Sequence, residues 1–88
     1  MGVSYMGNLK LGVPMNSGEL TLVEALGLIA TLSFRPFDRN DYDCFAGVRT
    51  ENPMIASNDE FVVVVDGGVV EFTSMNGHIN QQFRLDEV

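Results

Sequence analysis

The stretch from Phe61 to Leu85 constrains this chain more than any other. Phe61-Val62-Val63-Val64-Val65 is an unbroken β-favouring run, and Asp66-Gly67-Gly68 forms a turn. Val69 to Met75 then repeats the β pattern, and Asn76-Gly77 has the composition of a type I′ hairpin turn before His78 to Leu85. Three strands joined by tight turns make an antiparallel meander. A two-residue Asn76-Gly77 turn sets Ser74 opposite Ile79, Phe72 opposite Gln81 and Val70 opposite Phe83. One face then collects Val70, Phe72, Ile79, Phe83 and Leu85. The two possible turns of the first hairpin differ by a two-residue shift, so Phe61, Val63 and Val65 join that face in either case. This is the expected core.

The other face carries Val62, Val64, Val69 and Met75 among Glu71, Thr73, His78, Asn80, Gln82 and Arg84. A sheet with one face in water normally alternates apolar with polar residues, and three valines together depart from that rule. They predict a partner that covers this face.

Upstream, Thr21 and Glu24 form a capping box, with the Thr21 hydroxyl accepting three residues on and Glu24 reaching back to the Thr21 amide. The helix is expected from about Leu22 to Leu32. Leu22, Ala25, Leu26, Ile29 and Leu32 make one apolar stripe at helical spacing, yet Val23, Leu28 and Ala30 lie off it. Only Glu24, Gly27 and Thr31 interrupt the apolar surface. A helix apolar nearly all round is expected to be covered on more than one side.

Leu9, Leu11 and Val13 alternate with Lys10 and Gly12 before Pro14 and read as an N-terminal strand. Ser33 to Phe37 and Cys44 to Val48 are short extended candidates flanking an acidic turn, Asp38 to Asp43. Arg49 to Glu60, with Asn52-Pro53 inside it, reads as the longest loop. The expectation is therefore an α+β fold. One near-fully apolar helix packs on an antiparallel sheet of four to five strands that ends in the C-terminal meander. At 88 residues, 1–88 is read as a single small domain.

Chemistry is sparse. A lone Cys44 excludes an internal disulfide and a multi-cysteine metal site, and its ordinary role is that of a small buried hydrophobe. A Cys44/His78 pair is surrounded by no catalytic motif. Asp38, Asp41 and Asp43 fail the EF-hand pattern, because the sixth and twelfth positions counted from Asp38 hold Asp43 and Arg49 where glycine and glutamate belong. No phosphate-binding glycine loop is present, and Gly67-Gly68 precedes no helix. No catalytic residue, metal site or cofactor is assigned.

Twelve acids against five bases give a net charge of −7, which disfavours nucleic acid and anionic membranes. No apolar run is long enough for a membrane span, and the N-terminus has no secretory pattern, so the expected location is cytoplasmic. Against this acidic background Arg35, Arg49 and Arg84, with Tyr42 and Phe45, are the candidate ligand or partner contacts. Val62, Val64, Val69 and Leu28 are the candidate interface between copies. The resulting expectation is a non-enzymatic, self-associating module that binds a protein or a small ligand, nucleotide-like ligands included, through its loops and subunit interface. The alternative is an acidic inhibitor of a nucleic-acid-handling protein. In size and charge, though in no motif, the chain resembles the small anti-defence proteins of bacteriophages, anti-CRISPR proteins among them.

Overall fold

In a computed structural model, which describes residues 9–43, 45, 47, 48 and 50–87, one helix packs on a six-stranded antiparallel sheet. The strands are β1 (Leu9–Pro14), β2 (Arg35–Pro36), β3 (Met54–Ser57), β4 (Phe61–Asp66), β5 (Val69–Ser74) and β6 (Asn80–Glu87). Helix α1 (Leu22–Thr31) and a 3₁₀ helix (Arg39–Asp43) complete the fold. The sheet order is β1-β6-β5-β4-β3-β2, so the meander runs from β2 to β6 and β1 is added at its far edge. The chain between β1 and β2 must cross five strand spacings, roughly 24 Å. Helix α1 makes that crossing over one face.

Its start is fixed locally. The Glu24 N–H donates to Thr21 Oγ1 at 3.1 Å and the Thr21 N–H donates to Glu24 Oε1 at 2.8 Å, which closes the capping box. The entry segment is held to β6: Met15 N–H donates to the Gln82 carbonyl, and Asn16 Oδ1 accepts from the Gln82 N–H at 2.7 Å. The helix therefore lands over the centre of the sheet. There Ala25, Ile29 and Leu32 bury against Val63, Val65, Val70, Phe72 and Phe83. Phe72 and Phe83 meet edge to face with ring centroids 5.5 Å apart, a geometry their quadrupoles favour.

The meander keeps the expected register, with Val70 opposite Phe83, Phe72 opposite Gln81 and Val63 opposite Phe72. The sheet has six strands instead of four to five because the 49–60 stretch is not simply a loop. Met54 to Ser57 pair residue by residue with Val65 to Val62, which puts Met54 and Ala56 on the core side and Ile55 on the other. Ser33 to Phe37 contributes only the two-residue β2. Of the Cys44 to Val48 candidate, the described residues Phe45, Gly47 and Val48 lie in no strand, and Cys44 falls outside the described residues.

The second hairpin is not a type I′ turn. That turn needs positive φ at both centres, and only Gly77 has it, at +77°. The Gly77 N–H donates to the Ser74 carbonyl and the Ser74 N–H to the Ile79 carbonyl, which closes a four-residue loop that preserves the register. In the first hairpin Gly67 has φ +67° and Asp66 pairs with Val69, as a two-residue Gly67-Gly68 turn requires.

Within the single chain the helix is covered on one side only. Leu22 and Leu28 are half-buried against the core, but Val23 is 78% exposed, and Leu26, Gly27 and Ala30 are exposed beside it. One side of the helix is covered, and the other faces outward.

Candidate functional site

The sheet face away from the helix carries the more distinctive arrangement. Cross-strand pairing lines up Arg35, Ile55, Val64, Glu71 and Gln82 in one row and Ser57, Val62, Thr73 and Asn80 in the next. Above the β2 end of these rows sit Arg35 to Asp43, with Phe45 among the overhanging residues. The Asp41 carboxylate organises it, accepting from Arg35 Nη1 at 2.9 Å, from Arg35 Nη2 at 2.7 Å and from the Asp38 N–H at 2.7 Å. Asp38 Oδ1 in turn accepts from the Asn40 N–H at 2.9 Å. These bonds tighten the acidic stretch into the 3₁₀ turn, since short acidic side chains readily accept from nearby amides. Phe37 then stacks edge-on against Tyr42 at 4.9 Å and Phe45 at 6.3 Å.

Between this overhang and the sheet lies a cleft of about 550 Å³, whose apolar lining includes Phe45, Ile55, Val62 and Met75. Arg35, Asp41 and Thr73 add polar groups. The bidentate pair neutralises the charge of Arg35. Its hydrogen bonds, and the Asp38 N–H, hold the Asp41 carboxyl down at about 2, while the hydrogen bond with Asp41 raises the Arg35 guanidinium. Thr73 differs from the other polar lining residues. Its hydroxyl oxygen is shielded from solvent and has no hydrogen-bond partner among the described residues. The cleft is thus a largely apolar, near-neutral slot, with Thr73 and its buried hydroxyl in the lining.

The residues singled out from sequence divide in three ways. Arg35, Phe45 and Val62 meet in the cleft, and Tyr42 supports it from outside through Phe37. Arg84 sits on β6 opposite Val69, 3.9 Å from Asp86 and four strand spacings, roughly 19 Å, from β2. Val69 is half-buried there, and Leu28 packs on the helix side of the sheet. Arg49 lies outside the described residues.

Val64 requires a correction. It is 1% exposed within the single chain, so it has no surface to offer a second copy. Val62 and Val69, by contrast, are only half-buried within the chain.

Sequence reasoning missed Ile55 and Thr73 as parts of a site. Ile55 was hidden by the loop assignment, and Thr73 stood among the polar outer-face residues with nothing local to set it apart.

A second, acid-rich cleft of about 420 Å³ lies at the hairpin end and is lined by Glu19, Asp59, Glu60 and His78 among others. Among the described residues no group of three or more His, Cys, Asp or Glu has metal-binding geometry, and no helix is long and apolar enough to cross a membrane. Comparison with protein-family models, curated proteins and solved structures found no match. The functional reading therefore rests on geometry.

Proposed function

We propose that this chain is a non-enzymatic binding module that holds a compact, uncharged and mostly apolar molecule in the cleft beneath the Arg35–Phe45 overhang. The observation that carries this reading is the largely apolar cleft itself, with Thr73, whose buried hydroxyl has no partner among the described residues, in its lining. A buried polar group left unpaired costs about 1–3 kcal/mol, and a ligand carbonyl accepting from it recovers that cost once rotation of the Thr73 side chain brings the hydroxyl to the cleft surface. Phe45 and Met75 supply a polarisable wall for a flat apolar body.

Charge argues for a neutral ligand. Asp41 already occupies both terminal nitrogens of Arg35, so an anion would have to displace it from a chain of net charge −7. A nucleotide-like ligand is correspondingly disfavoured. The inhibitor reading draws on Glu19, Asp59 and Glu60 in their common cleft, but Glu71 and Asp86 sit on the outer sheet face and Glu24 on the helix. These acids do not form one phosphate-like surface.

The test is an NMR titration of the ¹⁵N-labelled chain with uncharged aromatic amides. Saturable shifts at Ile55, Val62 and Thr73 support the reading. Thr73→Val should then weaken binding roughly tenfold while leaving the thermal midpoint unchanged or higher, because the substitution removes the unpaired hydroxyl at similar volume. Shifts confined to other surfaces, or equal binding by Thr73→Val, would reject it.

A further inference from the structure

The hydrogen-bonding capacity of the Arg35 guanidinium is only partly used. Its Nη1 donates both hydrogens, one to Asp41 Oδ2 at 2.9 Å and one to the Pro36 carbonyl at 3.2 Å. Nη2 donates one, to Asp41 Oδ1 at 2.7 Å. Nε and the second hydrogen of Nη2 meet no acceptor among the described residues. In the fixed plane of a guanidinium those two N–H groups share one edge and point in parallel. Asp41 takes the end of the fork and leaves its side intact.

That edge belongs to a side chain that is both accessible and held. Arg35 lines the apolar cleft and its side chain is 55% exposed. Asp41 is fixed in turn, since its carboxylate accepts from the Asp38 N–H at 2.7 Å and its own N–H donates to the Asp38 carbonyl at 3.1 Å. A guanidinium pinned in this way loses little freedom when a ligand takes its remaining edge. Arg84 offers nothing comparable, because it approaches Asp86 only at 3.9 Å and lies outside the cleft. Holding the overhang needs only the edge that Asp41 already occupies.

Two parallel donors fit either a carboxylate or a single carbonyl oxygen, whose two lone pairs accept both. The carboxylate is the poorer match. It would compete with Asp41 for the one positive charge of the guanidinium, with Asp38 Oδ2 also 3.9 Å from Nη1, in a chain of net charge −7. A neutral carbonyl meets no such repulsion. Phe45, Ile55 and Val62 in the same lining suit the apolar body that carries it.

We infer that Arg35 is the specificity-determining residue of the cleft: its free Nε/Nη2 edge reads an uncharged carbonyl oxygen at one end of an apolar ligand, and Asp41 positions it for that task. The ligand class narrows to neutral molecules with a carbonyl acceptor, such as tertiary amides, esters and ketones. The inference rests on the reading of the cleft as a ligand site, but not on the Thr73 hydroxyl.

The experiment is an NMR titration of the ¹⁵N-labelled full chain with N,N-dimethylnaphthamide, naphthalene and naphthoate. It is run on the wild type and on Thr73→Val, where any preference for the carbonyl belongs to Arg35. Both neutral probes should shift Ile55 and Val62. Only the amide should also shift the Arg35 Nε–H, and in Thr73→Val it should bind roughly tenfold tighter than naphthalene and tighter than naphthoate. Arg35→Lys keeps a cation for Asp41 but has no planar fork, so it should reduce the affinity for the amide to that for naphthalene.

The Nε–H shift in the wild type keeps the test decisive if Arg35→Lys does not fold. Equal binding of amide and naphthalene, with an unmoved Arg35 Nε–H and shifts at Ile55 and Val62, would overturn the inference and leave the cleft reading standing. Tighter binding of naphthoate than of the amide would overturn the neutral class. No shift at Ile55 or Val62 with any probe would overturn both the inference and the cleft reading.

Discussion

Leu20 and Gln81, sixty-one positions apart, exchange two hydrogen bonds: the Leu20 N–H donates to Gln81 Oε1 at 2.9 Å, and Gln81 Nε2 donates to the Leu20 carbonyl at 2.8 Å. Gln81 is 1% exposed and sits among the apolar residues of the core face, opposite Phe72. Its carboxamide substitutes for a strand, satisfying the backbone just ahead of the helix cap. Gly18 lies so close that a side chain there would collide with the same carboxamide.

Gln81→Leu should therefore destabilise the chain by roughly 2 to 4 kcal/mol, since it leaves a buried N–H and a buried carbonyl unpaired. Urea denaturation followed by circular dichroism measures this. A midpoint equal to the wild type would mean that water reaches Leu20 and that the pair does not hold the helix entry.

At the second hairpin two substitutions act through different causes. Gly77→Val should cost about 1 kcal/mol or more because of φ +77° alone, as nothing lies within 4 Å of its Cβ position. Asn76→Ala should cost about 0.5 to 1.5 kcal/mol through two lost hydrogen bonds, since Asn76 Oδ1 accepts from Ser74 Oγ at 2.8 Å and from the His78 N–H at 3.0 Å. Thermal midpoints check both. Because Asn76 does not have positive φ, Asn76→Asp should retain most of the stability, whereas a type I′ turn would also penalise Asn76→Ala for its backbone.

These hairpins show which parts of the fold were readable in advance. The Thr21/Glu24 cap, the strand identities of 61–85 and the pairing register all rest on interactions between close neighbours in sequence. The turn type did not follow, because Ser74 Oγ accepts the Ile79 N–H at 2.8 Å and draws Asn76 into a wider loop. Strand β3 was masked by Asn52-Pro53 and becomes a strand only by pairing with β4. The cleft was legible in pieces, as Arg35, Phe45 and Val62. That Asp41 is the residue folding the overhang onto the sheet is a matter of tertiary geometry, as is the isolation of the Thr73 hydroxyl.

The overhang should respond to acid. Asp41 has a carboxyl lowered from 3.8 to about 2 by Arg35 and the Asp38 amide, so the folded chain favours its charged form. Its contribution is complete above the unfolded value and is lost as pH falls from about 3.8 through about 2. The Asp38 amide resonance and the Arg35 side-chain resonances should shift together across that window. Asp41→Asn should abolish the joint shift while leaving the β4–β5–β6 resonances in place. A shift centred near pH 4 would show that the carboxyl is not held by Arg35 in solution.

Val64→Glu tests whether the outer valines belong to the chain or to a partner. Val64 pairs with Ile55, and both are buried on the face away from the helix, where the overhang lies. Along the described row of paired residues the one cation is Arg35, and it is already held by both oxygens of Asp41. Burying an unpaired charge costs several kcal/mol, a large part of the roughly 5–15 kcal/mol that keeps a small domain folded. The variant should lose its cooperative thermal transition. Val62→Glu, two residues away on the same face but half-buried at the cleft, lets its carboxylate reach water and should stay folded with its circular dichroism spectrum unchanged. If Val64→Glu instead stayed folded and only reduced the mass seen by light scattering, the chain would not bury Val64 in solution, and the sheet face would be the surface between copies.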